Sequence, residues 1–295
     1  MTRSTSGAEI VVGYDGSPDA AAALDWALDQ ARRDGRPVRL VYVFEWLTVA
    51  GWVGPGVTPG MWPDEQARQQ VEELVGKAAA DAGAANPELT VRGEVRDGPP
   101  ALVLEESSAE ADLVVLGGRG HGGFAGLLAG STAVSVTAHA HCPVVVVRRD
   151  TADAARAGHV TVGVDGSEPS LVALGFAVEH AALRRVPLRV VRAWQPGREQ
   201  WNLTGEQARD AALAEDRAEL NEAVRRWQET FPDVEVSVET GASAAAGLLI
   251  ESSRQAQLVV VGTRGRGGLR GMLLGSVSQQ LIQHAHCPVA VVRER

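Results

Sequence analysis

The chain has 295 residues, enough for two domains of about 150 residues each, and its 45% apolar and 22% charged content is that of a globular protein. A net charge of −9, from 37 acidic against 28 basic side chains, argues against a nucleic-acid binder that works by neutralising phosphates. Lys77 is the only lysine, which excludes a Walker A loop, and two cysteines, Cys142 and Cys287, are too few for a disulfide framework, so a reducing cytoplasmic setting is expected.

In chain order, Met1 to Glu9 is polar, with no apolar core for a signal peptide. Ile10–Gly13 predicts a strand ending in Asp15-Gly16-Ser17-Pro18, with Ser17 as N-cap and Pro18 in the first helical turn. Ala20, Ala23, Leu24, Ala27, Leu28 and Ala31 then recur at helical spacing. Val38–Phe44 predicts the second strand, Asp64–Ala84 a helix, Leu89–Val95 the third strand, Pro100–Ala109 a helix and Leu113–Leu116 the fourth strand. A glycine-rich loop, a helix near Thr132–Ala140 and a strand Val144–Val147 follow. The unit is then written again. IVVGYDGS at 10–17 returns as VTVGVDGS at 160–167, and residues 113–148 align without a gap to 258–293 with more than half the positions identical. The halves are 1–148 and 160–295, joined by a polar, alanine-rich linker at 149–159. Apolar strands alternating with helices predict an α/β fold with parallel sheets. No apolar run approaches the roughly 20 residues that span a bilayer, so no membrane role is expected.

In an open parallel sheet, ligands bind beyond the carboxyl ends of the strands. Two loops per half carry unusual chemistry there. One is Gly13-Tyr14-Asp15 with its repeat Gly163-Val164-Asp165. The other is Gly117-Gly118-Arg119-Gly120-His121-Gly122-Gly123 leading to Gly130-Ser131, with Gly262-Thr263-Arg264-Gly265-Arg266-Gly267-Gly268 leading to Gly275-Ser276. Glycines let backbone amides converge on one point, and a Gly-Ser pair opening a helix leaves the first-turn amides for an anion. The bland alternative is that the glycines merely permit a tight strand-to-helix connection, and that Asp15 only anchors its own turn. The dinucleotide pattern G-x-G-x-x-G is also met at Gly118, Gly120 and Gly123, but after the wrong strand and with Thr263 replacing its first glycine in the repeat.

Gly117-x2-Gly120-x9-Gly130-Ser131 and Gly262-x2-Gly265-x9-Gly275-Ser276, with the Asp15 and Asp165 turns and the two HAHCPV segments, resemble the nucleotide-binding pattern of the universal stress protein family, in its tandem actinobacterial form. The resemblance implies two doubly wound, Rossmann-like domains, each a five-stranded parallel sheet in order 3-2-1-4-5 with about four helices. It implies ATP, with Mg²⁺ on its phosphates, across strands 1 and 4. Gly13, Tyr14, Asp15 and Val43 would line the base and ribose, Gly117 and Gly120 the ribose and α-phosphate, and Gly130, Ser131 and Thr132 the outer phosphates. The second set is Gly163, Val164, Asp165, Ala193, Gly262, Gly265, Gly275, Ser276 and Val277. Loop residues Arg119, His121, Gly123, Arg264, Arg266 and Gly268 complete the candidate sites. Bulkier residues at Gly117 and Gly262 are expected to abolish ATP binding and leave the fold intact.

The resemblance implies a nucleotide-dependent regulator of stress response or growth. The alternative is a slow ATPase or nucleotide-using transferase on the same scaffold, although no general base or γ-phosphate cation is evident and no catalytic residue is assigned. His139, His141, Cys142, His284, His286 and Cys287 read as packing rather than metal ligands, because histidines two apart diverge on a helix. Trp46, Trp52, Trp62, Trp194 and Trp201 cluster after the second strand of each half, either as lids or as covers of the sheet edge. The last strands, Val144–Arg148 and Val289–Arg293, are apolar edges that invite pairing with each other, and a homodimer with four nucleotide sites is expected.

Overall fold

A computed structural model describes residues 9–45, 65–120, 129–151, 158–193, 206–241, 243–266 and 273–293. The chain divides into two compact units, Met1–Cys142 and Pro143–Arg295. The five tryptophans named above lie outside the described residues.

The first unit runs β1 (Glu9–Gly13), α1 (Pro18–Asp34), β2 (Val38–Phe44), α2 (Glu65–Ala85), β3 (Val91–Asp97), α3 (Pro100–Ser108), β4 (Ala111–Gly117) and α4 (Ser131–His139). The strands are parallel in the order β3-β2-β1-β4. Ser17 caps α1 as its sequence requires: its Oγ accepts the Ala20 amide at 3.2 Å, Pro18 fills the first turn, and Gly35 ends the helix at φ 75°. Ile10, Val11 and Val12 are fully buried, with helices over both faces of the sheet. A strand buried on both faces cannot alternate in polarity, which is why these segments read as continuous apolar runs.

One polar cluster interrupts that pattern. Glu9 of β1 is buried, and Arg39 Nε of β2 lies 2.7 Å from its Oε1. Arg92 of β3 donates to Glu9 Oε2 at 2.8 Å, and Arg39 donates to Glu94 at 2.8 Å. The parallel register sets Arg39 beside Arg92, and the carboxylates of Glu9 and Glu94 separate the two cations.

The second unit contains β5 (Val144–Val147), β6 (His159–Gly163), α5 (Glu168–Arg184), β7 (Leu188–Ala193), α6 (Glu206–Thr230), β8 (Val236–Gly241), α7 (Ala245–Ser252), β9 (Ala256–Gly262), α8 (Ser276–His284) and β10 (Val289–Val292). Its sheet has the order β8-β7-β6-β9-β10-β5. The first five strands follow the 3-2-1-4-5 winding and are parallel. β5 joins antiparallel to β10, Val146 opposite Val289 and Val144 opposite Val291. All four residues of β5 are buried, so neither its faces nor its edge toward β10 is left to water. Arg148, just after β5, donates to the main-chain oxygens of Gln283 and Ala285 at the carboxyl end of α8, where a cation is favoured. The sequence repeat ends at 148, whereas the packing divides the chain ahead of β5, between Cys142 and Pro143.

Candidate functional site

In each unit, two loops leave the carboxyl ends of adjacent central strands, β1 with β4 and β6 with β9. The winding reverses there, because the chain goes outward to β2 or β7 on one side and to β4 or β9 on the other. Gly16 and Gly166 take φ of 79° and 80°, a backbone that a Cβ opposes. Asp15 Oδ1 accepts the Ser17 amide at 2.9 Å, and Asp165 Oδ1 accepts the Ser167 amide at 3.0 Å and its hydroxyl at 2.5 Å. Both aspartates therefore anchor their own turns.

Asp165 also reaches the other loop. Its Oδ2 accepts the Arg266 amide at 2.7 Å, between residues 101 positions apart. Burial opposes its ionisation, but the donors from Ser167, Arg266 and Ser170 outweigh burial and hold the carboxyl below the ordinary range. A depressed folded-state pKa contributes stability that is present above the unfolded value and lost as pH falls through the folded one. The second unit of Asp165→Asn should thus lose less stability than the parent below about pH 4, and melting curves between neutral and acid pH check this. Parallel acid limbs for both proteins would show that Asp165 does not carry that charge term.

The glycine loops close identically. The Gly130 amide donates to Gly118 O at 2.7 Å, and the Gly275 amide donates to Thr263 O at 2.7 Å. Gly130 and Gly275 cap α4 and α8 from an extended backbone, and no side chain caps either helix. First-turn amides therefore face the crevice without a capping side chain, in the arrangement that favours an anion. A Cβ on Gly117 would stand 2.8 Å from Ala20 N, and one on Gly262 would stand 2.8 Å from the Pro169 carbonyl carbon. These are backbone atoms of α1 and α5. The expectation that bulkier residues there leave the fold intact is corrected on that ground: the strand end and the helix start compete for the same space.

In the second unit the loops enclose a cavity of about 330 Å³. Gly163, Val164, Asp165, Ala193, Gly262, Arg264, Gly265, Gly275, Ser276 and Val277 are among the residues that line it. Arg266 is set apart: its side chain faces a smaller cavity of about 200 Å³ and reaches Gly166 O at 3.5 Å. In the first unit Gly13, Tyr14 and Asp15 follow β1, Val43 lies in β2, Gly117, Arg119 and Gly120 lie at the end of β4 and just beyond it, and Gly130, Ser131 and Thr132 form the start of α4. His121, Gly123 and Gly268 lie outside the described residues.

Sequence reading missed an apolar wall made by Val191, Ala245, Leu249, Val261 and Leu274, together with Ser170 and Ser278. Part of it was available: Val191 is two residues from Ala193 and so shares its face of β7, and Ala245 and Leu249 are one helical turn apart. Ser278, in the first turn of α8, donates to Gly262 O at 2.9 Å and ties that turn to the end of β9. Cys142 and Cys287 are buried, and burial raises the Cys287 thiol far above its usual range. The amides of His141 and His286 donate to Ser108 and Ser253, at 2.8 and 2.9 Å. Among the described residues no three His, Cys, Asp or Glu side chains group as metal ligands, and no helix is long and apolar enough to cross a membrane.

Comparison with known proteins matches the universal stress protein family over residues 8–148 and again over 157–293. Universal stress protein Rv2005c of Mycobacterium tuberculosis is 40% identical over 291 residues, covering 97% of each chain. A universal stress protein of Mycolicibacterium smegmatis is 36% identical over 309 residues, covering the whole of both. Among solved structures, a universal stress protein from Archaeoglobus fulgidus superposes with a TM-score of 0.65 at 19% identity, covering 98% of this chain and 99% of that one, which supports the fold alone. With its glycine loops duplicated in sequence and closed alike in both halves, the chain belongs to the universal stress protein family and carries that family's domain twice.

Proposed function

We propose that each unit binds one adenine nucleotide, ATP, and that the chain acts in the cytoplasm as a nucleotide-dependent regulator of stress response or growth. The cavity of the second unit carries this reading. Val191, Ala193, Leu249 and Val261 give it the apolar surface that a purine requires. Gly262, Gly265, Gly275 and the uncapped start of α8 also line it, and they offer the main-chain donors that phosphates require. Ser276 adds a hydroxyl donor there, and Ser131 is its counterpart in the first unit. Mg²⁺ would be held chiefly through the phosphates, since no ligand cluster converges among the described residues.

The reading is one of binding rather than turnover. Asp165 is the carboxylate in the cavity wall, and both of its oxygens already accept hydrogen bonds. Hydrolysis at a kinase-like rate of about 1–100 s⁻¹, lost when Asp15→Ala is combined with Asp165→Ala, would reverse that view. We further propose a homodimer with four nucleotide sites, which light scattering would report as twice the chain mass of 31.0 kDa. Mass spectrometry of small molecules released from freshly purified protein, with ATP calorimetry on the stripped chain, tests the central claim. The expected result is adenine nucleotide in the extract and binding at two sites per chain. Absence of both would refute it.

A further inference from the structure

We propose that His159 is an acid-sensitive latch of the second unit. A proton on its imidazole sets a second cation beside Arg189 at a buried position, and the amino end of β6 opens to solvate it.

The two units carry different charges at one place in their sheets. His159 opens β6 just ahead of Val160, as Glu9 opens β1 just ahead of Ile10. Val11 pairs with Arg39 and Thr161 with Arg189, so the next strand brings an arginine to both. The strand beyond brings Arg92 and Glu94 in the first unit, and Ser237 and Glu239 in the second. In the first unit the carboxylates of Glu9 and Glu94 balance the two arginines. In the second, Glu239 balances Arg189 only while the imidazole is neutral.

His159 is 9% exposed, and its Nε2 is buried with no hydrogen-bond partner. A charged imidazole donates from both ring nitrogens, so whichever of them takes the proton, Nε2 becomes a charged donor without an acceptor. Burial first, and the charge of Arg189 second, hold the imidazole below its ordinary range. Glu239 of β8 faces Arg189 at 4.0 Å and is itself exposed, as is Glu235 just ahead of that strand. Thr161 and Gly163 share the face of His159 and pack on α7, against the Ser252 hydroxyl at 2.8 Å and the Leu249 side chain. The charges on that side, Glu251 and Arg254, are exposed and joined to each other at 3.0 Å. His180 and Arg184 belong to α5, which packs with α6 on the other side of the sheet. On β9 the neighbours are Ala256 and Gln257, which do not ionise, and the register shifts between His159 and Val160, so few regular bonds hold this strand end. A folded-state pKa below the unfolded one means that the unfolded chain takes up a proton the folded chain refuses. The neutral imidazole thus contributes stability that is full above the unfolded value of about 6.5 and lost as pH falls through the folded one.

Calorimetric melts of the full chain between about pH 7.5 and 5.5, the range in which histidine titrates, decide the matter. His159→Gln keeps a polar side chain that does not titrate, and every other titrating group is common to both proteins. As pH falls, the second unit of the parent should lose melting temperature relative to the variant, by up to about 4 °C for each tenfold by which folding weakens proton affinity. Hydrogen exchange, normalised to the intrinsic rate at each pH, should place the added opening in peptides of β6, β7 and β9. Arg189→Gln keeps the imidazole and removes the cation beside it, so its acid loss should be smaller than that of the parent. Should His159→Gln fold poorly, NMR titration of the imidazole in the parent gives the direct reading, and a midpoint below about 6.5 is expected. Parallel melts for parent and His159→Gln across this range would overturn the proposal, as would an imidazole that titrates at or above about 6.5.

Discussion

Arg39→Ala should destabilise the first unit by about 3 kcal/mol, at the low end for breaking a buried ion pair. Glu9 would keep Arg92, whose side chain is 61% exposed, and lose Arg39, whose side chain is 8% exposed. The remaining partner is solvated and weak, while the carboxylate stays buried. The contact of Arg39 Nε with Glu9 is a close approach of charges rather than an aligned hydrogen bond, so charge compensation is what the variant removes. For a unit of this size the loss corresponds to a fall in melting temperature of about 6–12 °C. Hydrogen exchange read by mass spectrometry should localise the new opening to peptides of β1, β2 and β3. The double variant Glu9→Leu with Arg39→Met should regain most of the loss, because it removes both buried charges and leaves only Arg92 and Glu94, whose side chains are exposed. A single variant within about 0.5 kcal/mol of the parent would mean that water already solvates Glu9.

Gly262→Ala should cost the second unit about 1–3 kcal/mol and abolish nucleotide binding there, with Gly117→Ala doing the same in the first. The added methyl meets the main chain at 2.8 Å in both cases, and main chain cannot rotate aside as a side chain can. Relief requires the carboxyl end of β9 to move away from the start of α5. That shift is transmitted to Arg264 and Gly265, and through the Arg266 amide to Asp165. Gly76 makes the contrast, since nothing lies within 4 Å of a Cβ placed there; Gly76→Ala, inside α2, should leave stability unchanged or raise it by up to about 1 kcal/mol. Thermal melts and ATP titration on all three variants separate the readings. A Gly262→Ala chain that melts like the parent but no longer binds ATP would restore the simpler view, in which the glycine serves only the ligand.

Much of this architecture is legible in the sequence. The alternation of strands and helices, the Ser17-Pro18 helix start and the duplication follow from spacing over a few residues. Observed bounds differ from the expected ones by a residue or two, as at β3, which begins at Val91 instead of Leu89. The glycine loops stand out because glycine at fixed intervals in two copies is a local pattern. The apolar wall of the cavity does not stand out. Leu249 and Val261 look like any core residues, and only their arrival at one crevice from different elements gives them a second role.

The order of residues by itself determined a repeated α/β unit, the two loops of each repeat and the family to which they belong. Tertiary structure decided why Gly117 and Gly262 must be glycine, since the colliding atoms belong to a helix about a hundred residues earlier in the chain. It also decided that β5 completes the second unit against β10, that Asp165 clasps a distant amide, and that Asp19 engages Arg119 while its counterpart is a proline. Periodicity records which face of an element is apolar. It carries no record of which backbone donors from remote segments meet a given oxygen, because that depends on how separately formed strands and helices come to lie side by side.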